Sequence, residues 1–104
     1  MNYLGNYRNH KQFNDELGWC FRIFRTKVLK KSLKELGGET LVPSLSNFET
    51  GKLYRYEYIY YYIKACQTKE QLQALVDLIS QCLNDAWDRE QREEEDNDEK
   101  SKVQ

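Results

Sequence analysis

Pro43-Ser44-Leu45-Ser46-Asn47-Phe48-Glu49-Thr50-Gly51-Lys52 is the stretch whose residue types and spacing can do chemistry. Pro43 suits a first helical position, where a missing N–H has no consequence. Leu45 and Phe48 are three apart and share one face. Gly51 supplies a left-handed residue that ends a helix, and Lys52 follows as a cation at the negative helix end. The opposite face carries Ser44, Asn47 and Lys52. A short helix that is apolar inside, with amide and hydroxyl groups outside, is what reading DNA base edges requires.

No other cluster suggests a reaction. Gly37-Gly38 lacks the lysine-serine context of a phosphate-cradling loop. His10 is the only histidine and stands near a loose terminus, and the Ser, Cys and His inventory gives no triad. Cys20, Cys66 and Cys82 form no Cys-x-x-Cys pair, and zinc would need further ligands. Each lies in an apolar helical pattern and reads as a buried free thiol. The expectation is therefore a chain that is not an enzyme and takes no metal or cofactor.

The elements that position the central stretch are helices. Of 104 residues, one is proline and five are glycine. Residues 1–83 carry 12 Lys/Arg against 8 Asp/Glu, and residues 84–104 carry 4 against 9. A basic body with an acidic end is an asymmetry linked to nucleic-acid binding. Residues 1–12 have no clear period and read as a polar arm. A first helix is capped at Asn14 or Asp15, and Leu17, Cys20, Phe21, Phe24 and Val28 form its apolar face. From Arg22 to Lys34 there are six basic residues and no acidic one, so Arg22, Arg25, Lys30, Lys31 and Lys34 are candidate phosphate contacts. The bland counterpart is a solvated helix face. Ser32 and Glu35 form an S-x-x-E capping box opening a second helix, with Leu33 and Leu36 inward. Val42 precedes proline, which disfavours a helical conformation there.

Six tyrosines crowd residues 54–62. A helix from about Tyr56 to Ala65 or Gln67 would turn Ile59, Ile63 and Cys66 inward, together with Tyr56 or Tyr60. Alternating Tyr-x-Tyr also fits a strand. Exposed tyrosines suit either a protein partner or rings packed with their hydroxyls in water. Thr68 with Gln71 caps a long helix from Lys69 to about Arg92. Leu72, Leu75, Val76, Ile79, Cys82, Leu83 and Ala86-Trp87 repeat at 3-4 spacing over about two heptads. That stripe exceeds what a four-helix core needs. Leu72, Leu75, Val76, Ile79, Leu83 and Trp87 therefore make a candidate two-fold dimer contact, a fifth core helix being the alternative. Residues 93–104 are acidic and nearly free of apolar side chains, and read as a disordered tail.

Leu17-Gly18-x-x-Phe21-Arg22-x-Phe24-Arg25, Ser32-Leu33-Lys34-Glu35-Leu36 and Ser44-Leu45-Ser46-Asn47-Phe48-Glu49-x-Gly51-Lys52 together resemble the Xre family, the Cro and phage-repressor type of helix-turn-helix. The first and last of these are also similar to the DNA-binding domains of Rgg and MutR regulators. The likeness covers Asn14 to about Gln67. Gly37 stands where the family carries alanine, the turn between Leu36 and Leu45 is one or two residues shorter, and the segment from Arg25 to Leu36 is one residue longer.

The resemblance implies that Ser44 and Asn47 face the major groove. Val42 and Pro43 fall where other members place base-reading side chains, and Ser46 and Lys52 would touch phosphates. It also implies an ion pair from Glu49 to Arg22 or Arg25. The expected architecture is all-α: a lambda-repressor-like helix-turn-helix domain over 13–67, an added helix over 68–92 that dimerises, and the acidic tail. The expected function is a phage or mobile-element repressor binding double-stranded DNA as a homodimer. The alternative is a protein-interaction module on the same fold, an antirepressor or host-factor inhibitor using the tyrosine-rich helix. No signal pattern or apolar run of about 18 residues occurs, so no membrane contact and a cytoplasmic location are expected.

Overall fold

Leu17, Phe21 and Phe24 lie along one side of the first helix, and the rest of the chain folds onto them. The computed structural model describes the backbone of residues 3–103 and the side chains of 8–92. Helix α1 runs from Tyr3 to Ile23. Residues 3–12 are thus its first turns and not an irregular arm. Their register is supported from far along the chain: Asn9 donates to Glu90 at 2.8 Å, a partner that local periodicity cannot reveal.

α1 passes directly into a π-helical segment, Phe24–Leu29. A π turn holds more residues than an α turn, so the helix widens over this segment. Lys30 ends the segment in the left-handed region, with φ 56°. The Arg25 carbonyl accepts from the backbone N–H groups of Lys30 and Lys31.

Helix α2 spans Leu33–Gly37 and opens on the expected capping box. The Glu35 N–H donates to Ser32 Oγ at 3.1 Å, and the Ser32 N–H donates to Glu35 Oε1 at 3.0 Å. Those bonds hold the Glu35 carboxyl below its usual range. Gly38, at φ 89°, turns the chain into a 3-10 turn, Glu39–Leu41, which feeds helix α3, Val42–Glu49. Val42 is helical, at φ −54° and ψ −50°, against the expectation from its proline neighbour. The preceding 3-10 turn carries the chain into the helix, and Pro43 sits in the first turn, where no N–H is needed. Gly51, at φ 75°, closes α3. Its N–H donates to Phe48 O and the Lys52 N–H donates to Asn47 O, the paired bonds of a Schellman end.

A second 3-10 turn, Tyr56–Tyr58, leads into α4, Ile59–Ala65. The inward residues differ from expectation. Tyr58 and Tyr62 are buried, whereas Tyr56, Tyr60 and Ile63 are exposed. A tyrosine can be buried where its hydroxyl finds an acceptor, and Tyr62 has one in Glu49. Helix α5 runs from Lys69 to Val103. Gln71 N–H donates to Thr68 Oγ1, the cap expected at Thr68, while the Gln71 Oε1 accepts from the Gln67 N–H one residue earlier. The backbone stays helical through the stretch expected to be disordered. Residues 69–103 contain no Gly or Pro and many good helix formers.

The core joins Phe21, Phe24, Leu29, Leu36, Leu45, Tyr58, Tyr62 and Leu75. Phe21 is its centre, with ring centroids 5.1 Å from Phe48 and 4.9 Å from Tyr62. α5 lies antiparallel to α1, since Asn9 meets Glu90, Glu16 meets Arg89 and Cys20 meets Leu78. The fold is all-α, with no strand among the described residues. No helix among them is long and apolar enough to cross a membrane.

Candidate nucleic-acid interface

α3 is held in place by one buried polar centre. Arg25 comes from the π segment, Glu49 from the end of α3 and Tyr62 from α4. Arg25 Nε and Nη2 donate to Glu49 Oε2 and Oε1 at 2.8 and 2.9 Å, and Nη1 donates to the Lys31 carbonyl at 2.9 Å. The Tyr62 hydroxyl donates to Glu49 Oε2 at 2.8 Å. A bidentate fork fixes both distance and angle between its partners. Hydrogen bonding to Glu49 raises the Arg25 pKa above its ordinary value. Burial, followed by the Glu49 charge, pushes the Tyr62 phenol up as well, so it remains a donor.

Arg25 was expected among the phosphate contacts, but it is buried and its donors are taken by Glu49 and the Lys31 carbonyl, so it is not available to a phosphate. An arginine in a basic run looks like its neighbours until a buried carboxylate claims it. The resemblance left Arg22 and Arg25 open as partners of Glu49, and the geometry selects Arg25. Arg22 instead faces outward, its guanidinium 5.3 Å from the Trp19 ring centroid.

A second fixed point is Gly18 on α1. A Cβ there would lie 2.6 Å from the Glu49 carbonyl oxygen and 2.8 Å from that of Phe48. Only a bare backbone lets α1 approach α3 this closely. The distance and tilt of α3 are thus set by Gly18, Leu45 and the Arg25–Glu49 pair together.

This support leaves the outer side of α3 open. Pro43, Ser46 and Asn47 are exposed, and Ser44 and Val42 are half-buried. Of the four expected base readers, Asn47 and Pro43 present themselves fully. Thr50 joins the exposed face, though its hydroxyl is occupied with the Ser46 and Asn47 carbonyls. Among the expected phosphate contacts, Lys30, Lys34 and Lys52 are exposed and Lys31 is half-buried. Lys34 lies 3.9 Å from Glu39, a loose surface pair that leaves its charge in solvent. Lys27 is also exposed in the same run.

The stripe on α5 divides in two. Leu75 is 2% exposed and belongs to the core, not to a dimer contact. Leu72 and Ile79 are half-buried. Val76, Leu83 and Trp87 are 48%, 52% and 63% exposed, at the seven- and four-residue spacing of one helical face. Tyr62 is the residue whose role the sequence did not disclose, while Cys82 is the buried free thiol that was expected. The only hint for Tyr62 was a glutamate, Glu49, beside two apolar positions of a helix.

No family profile, curated protein or solved structure matches the chain.

Proposed function

We propose that this chain is a small sequence-specific DNA-binding regulator, a repressor of the phage or mobile-element kind with a helix-turn-helix of the Xre type. The observation that carries the reading is the exposed face of α3. Pro43, Ser46 and Asn47 project from a short helix anchored by Arg25, Glu49 and Gly18, with exposed Lys30, Lys34 and Lys52 on the elements flanking it. In this reading the lysines bind phosphates and set the register, while Asn47 and Ser44 read base edges. Repression follows from occlusion of the site, with no cofactor.

The decisive experiment is selection of bound duplexes from a random pool at two salt concentrations. The expected result is one enriched motif at both. Unselective retention that vanishes with salt would exclude sequence reading. Asn47→Ala is expected to weaken binding to the enriched site by about 1–3 kcal/mol, the value of a good bidentate base contact, while leaving nonspecific affinity unchanged. A titration in which the motif preference survives intact would remove Asn47 from the reading surface.

The same reading includes a homodimer through the exposed face of α5, spanning half-sites about 34 Å apart. Replacing Leu83 and Trp87 together by alanine is expected to convert dimer to monomer at micromolar concentration, as measured by light scattering. Wild-type protein that is monomeric at high micromolar concentration would eliminate the dimer.

A second reading is a protein-interaction module, an antirepressor or host-factor inhibitor. Tyr56 favours it: this ring is 91% exposed, with Tyr54 and Tyr60 also exposed nearby. Exposed tyrosines are enriched at interfaces. Failure of the duplex selection together with a specific complex lost on Tyr56→Ala would support this alternative.

A further inference from the structure

Cys20 and Cys82 lie 62 positions apart in sequence, yet they meet where α1 packs on α5. Both are free thiols, Cys20 half-buried and Cys82 buried. The Cys20 thiol donates to the Leu78 carbonyl at 3.5 Å. In an α-helix that carbonyl also accepts the Cys82 N–H, four residues on. The Cys20 sulfur is therefore seated on the helical turn that carries Cys82. Cys66 is elsewhere, with its thiol on the Tyr62 carbonyl within α4.

We propose that Cys20 and Cys82 are an oxidisable pair that closes to an intramolecular disulfide, stapling α1 to α5. This goes beyond the DNA reading and does not depend on it. The oxidant is a small disulfide such as glutathione disulfide. Cys20 loses its proton and its thiolate attacks one sulfur of the oxidant. A mixed disulfide forms and the first glutathione thiolate leaves, taking up a proton. Cys82 then loses its proton and attacks the Cys20 sulfur, releasing the second glutathione. The protein gives up two electrons and two protons, and the oxidant is reduced to two thiols.

The surroundings assign the order of attack. Cys20 is the more accessible sulfur, half-buried where Cys82 is buried, and so meets the oxidant first. Burial pushes both thiols up, Cys82 to about 12. Glu16 and Asp85 face Cys20 and oppose its ionisation, Glu16 also opposes that of Cys82, and Arg89 favours the Cys82 thiolate. Closure is therefore expected to be slow at neutral pH and to accelerate as pH rises.

The test uses the full chain with excess glutathione disulfide at pH 8, quenched with acid. The expected product has lost two hydrogens by intact mass, and peptide mapping joins the Cys20 and Cys82 peptides. Its thermal midpoint is about 10 °C or more higher than that of the reduced chain, and a reductant reverses the change. Cys66→Ser should leave the mass loss intact, and Cys20→Ser should abolish it. A persistent glutathione adduct at Cys20, a link to Cys66, links only between molecules, or no link after prolonged oxidation would each overturn the proposal. Mapping the wild-type chain keeps the test valid even if a cysteine variant folds poorly.

Discussion

Glu49→Ala is expected to lower the free energy of unfolding by about 3–5 kcal/mol, the cost of breaking a buried ion pair from one side. The substitution removes both acceptors of the Arg25 fork and the acceptor of the Tyr62 hydroxyl. A guanidinium and a phenol then remain in the interior without that partner. The loss is large against the ~5–15 kcal/mol that stabilises a typical domain. Glu49→Gln should cost less, because its amide oxygen still accepts one bond, although half of the charge-assisted fork is lost. Urea unfolding with a shared slope gives the comparison. A loss below about 1 kcal/mol for Glu49→Ala would show that the pair is solvated or replaceable. The effect should also reach function. Once Arg25 and Glu49 separate, the fork that helps set the angle of α3 to the π segment is lost, so on the proposed DNA-binding reading affinity for the enriched duplex should fall by more than the contacts of α3 alone explain.

Gly18→Val is expected to cost about 3 kcal/mol or more, from overpacking against backbone that cannot rotate away. The added Cβ alone would meet the Glu49 and Phe48 carbonyl oxygens well inside van der Waals contact. Gly18→Ala is the informative partner. Alanine gains about 1 kcal/mol of helix propensity over glycine, which offsets part of the clash. Gly37→Ala gains the same propensity but meets the side-chain tips of Leu45 and Leu41, which have rotamers to change. The expected order of stability is Gly37→Ala above Gly18→Ala above Gly18→Val, read from urea midpoints. Equal midpoints for the two alanine variants would mean that α1 and α3 are not in close contact at Gly18.

Much of the local structure was legible in the sequence. The capping box at Ser32 and Glu35, the glycine end of α3 at Gly51 and the inward Leu45 all occur as read. Each depends on residues within a few positions, so spacing and side-chain type suffice. The misreadings share a different origin. The start of α1 before Asn14 was missed because part of its support comes from more than 80 residues away, as Asn9 and Glu90 show. Tyr62, the inward tyrosine of α4, was missed because it is an acceptor on α3 that lets its hydroxyl be buried.

By itself the sequence determined that the chain is helical, where α2 begins and ends, where α3 ends, and that Leu36 and Leu45 face the core. Those outcomes follow from backbone capping and apolar periodicity, which act over one or two turns. Only the tertiary structure decided how the polar and charged residues are used. It withdrew Arg25 into the interior, left Lys30, Lys34 and Lys52 in solvent, assigned Leu75 to the core, and brought Cys20 to Cys82. A charge or thiol has the same local signature whether buried or exposed, and its role depends on which distant group meets it.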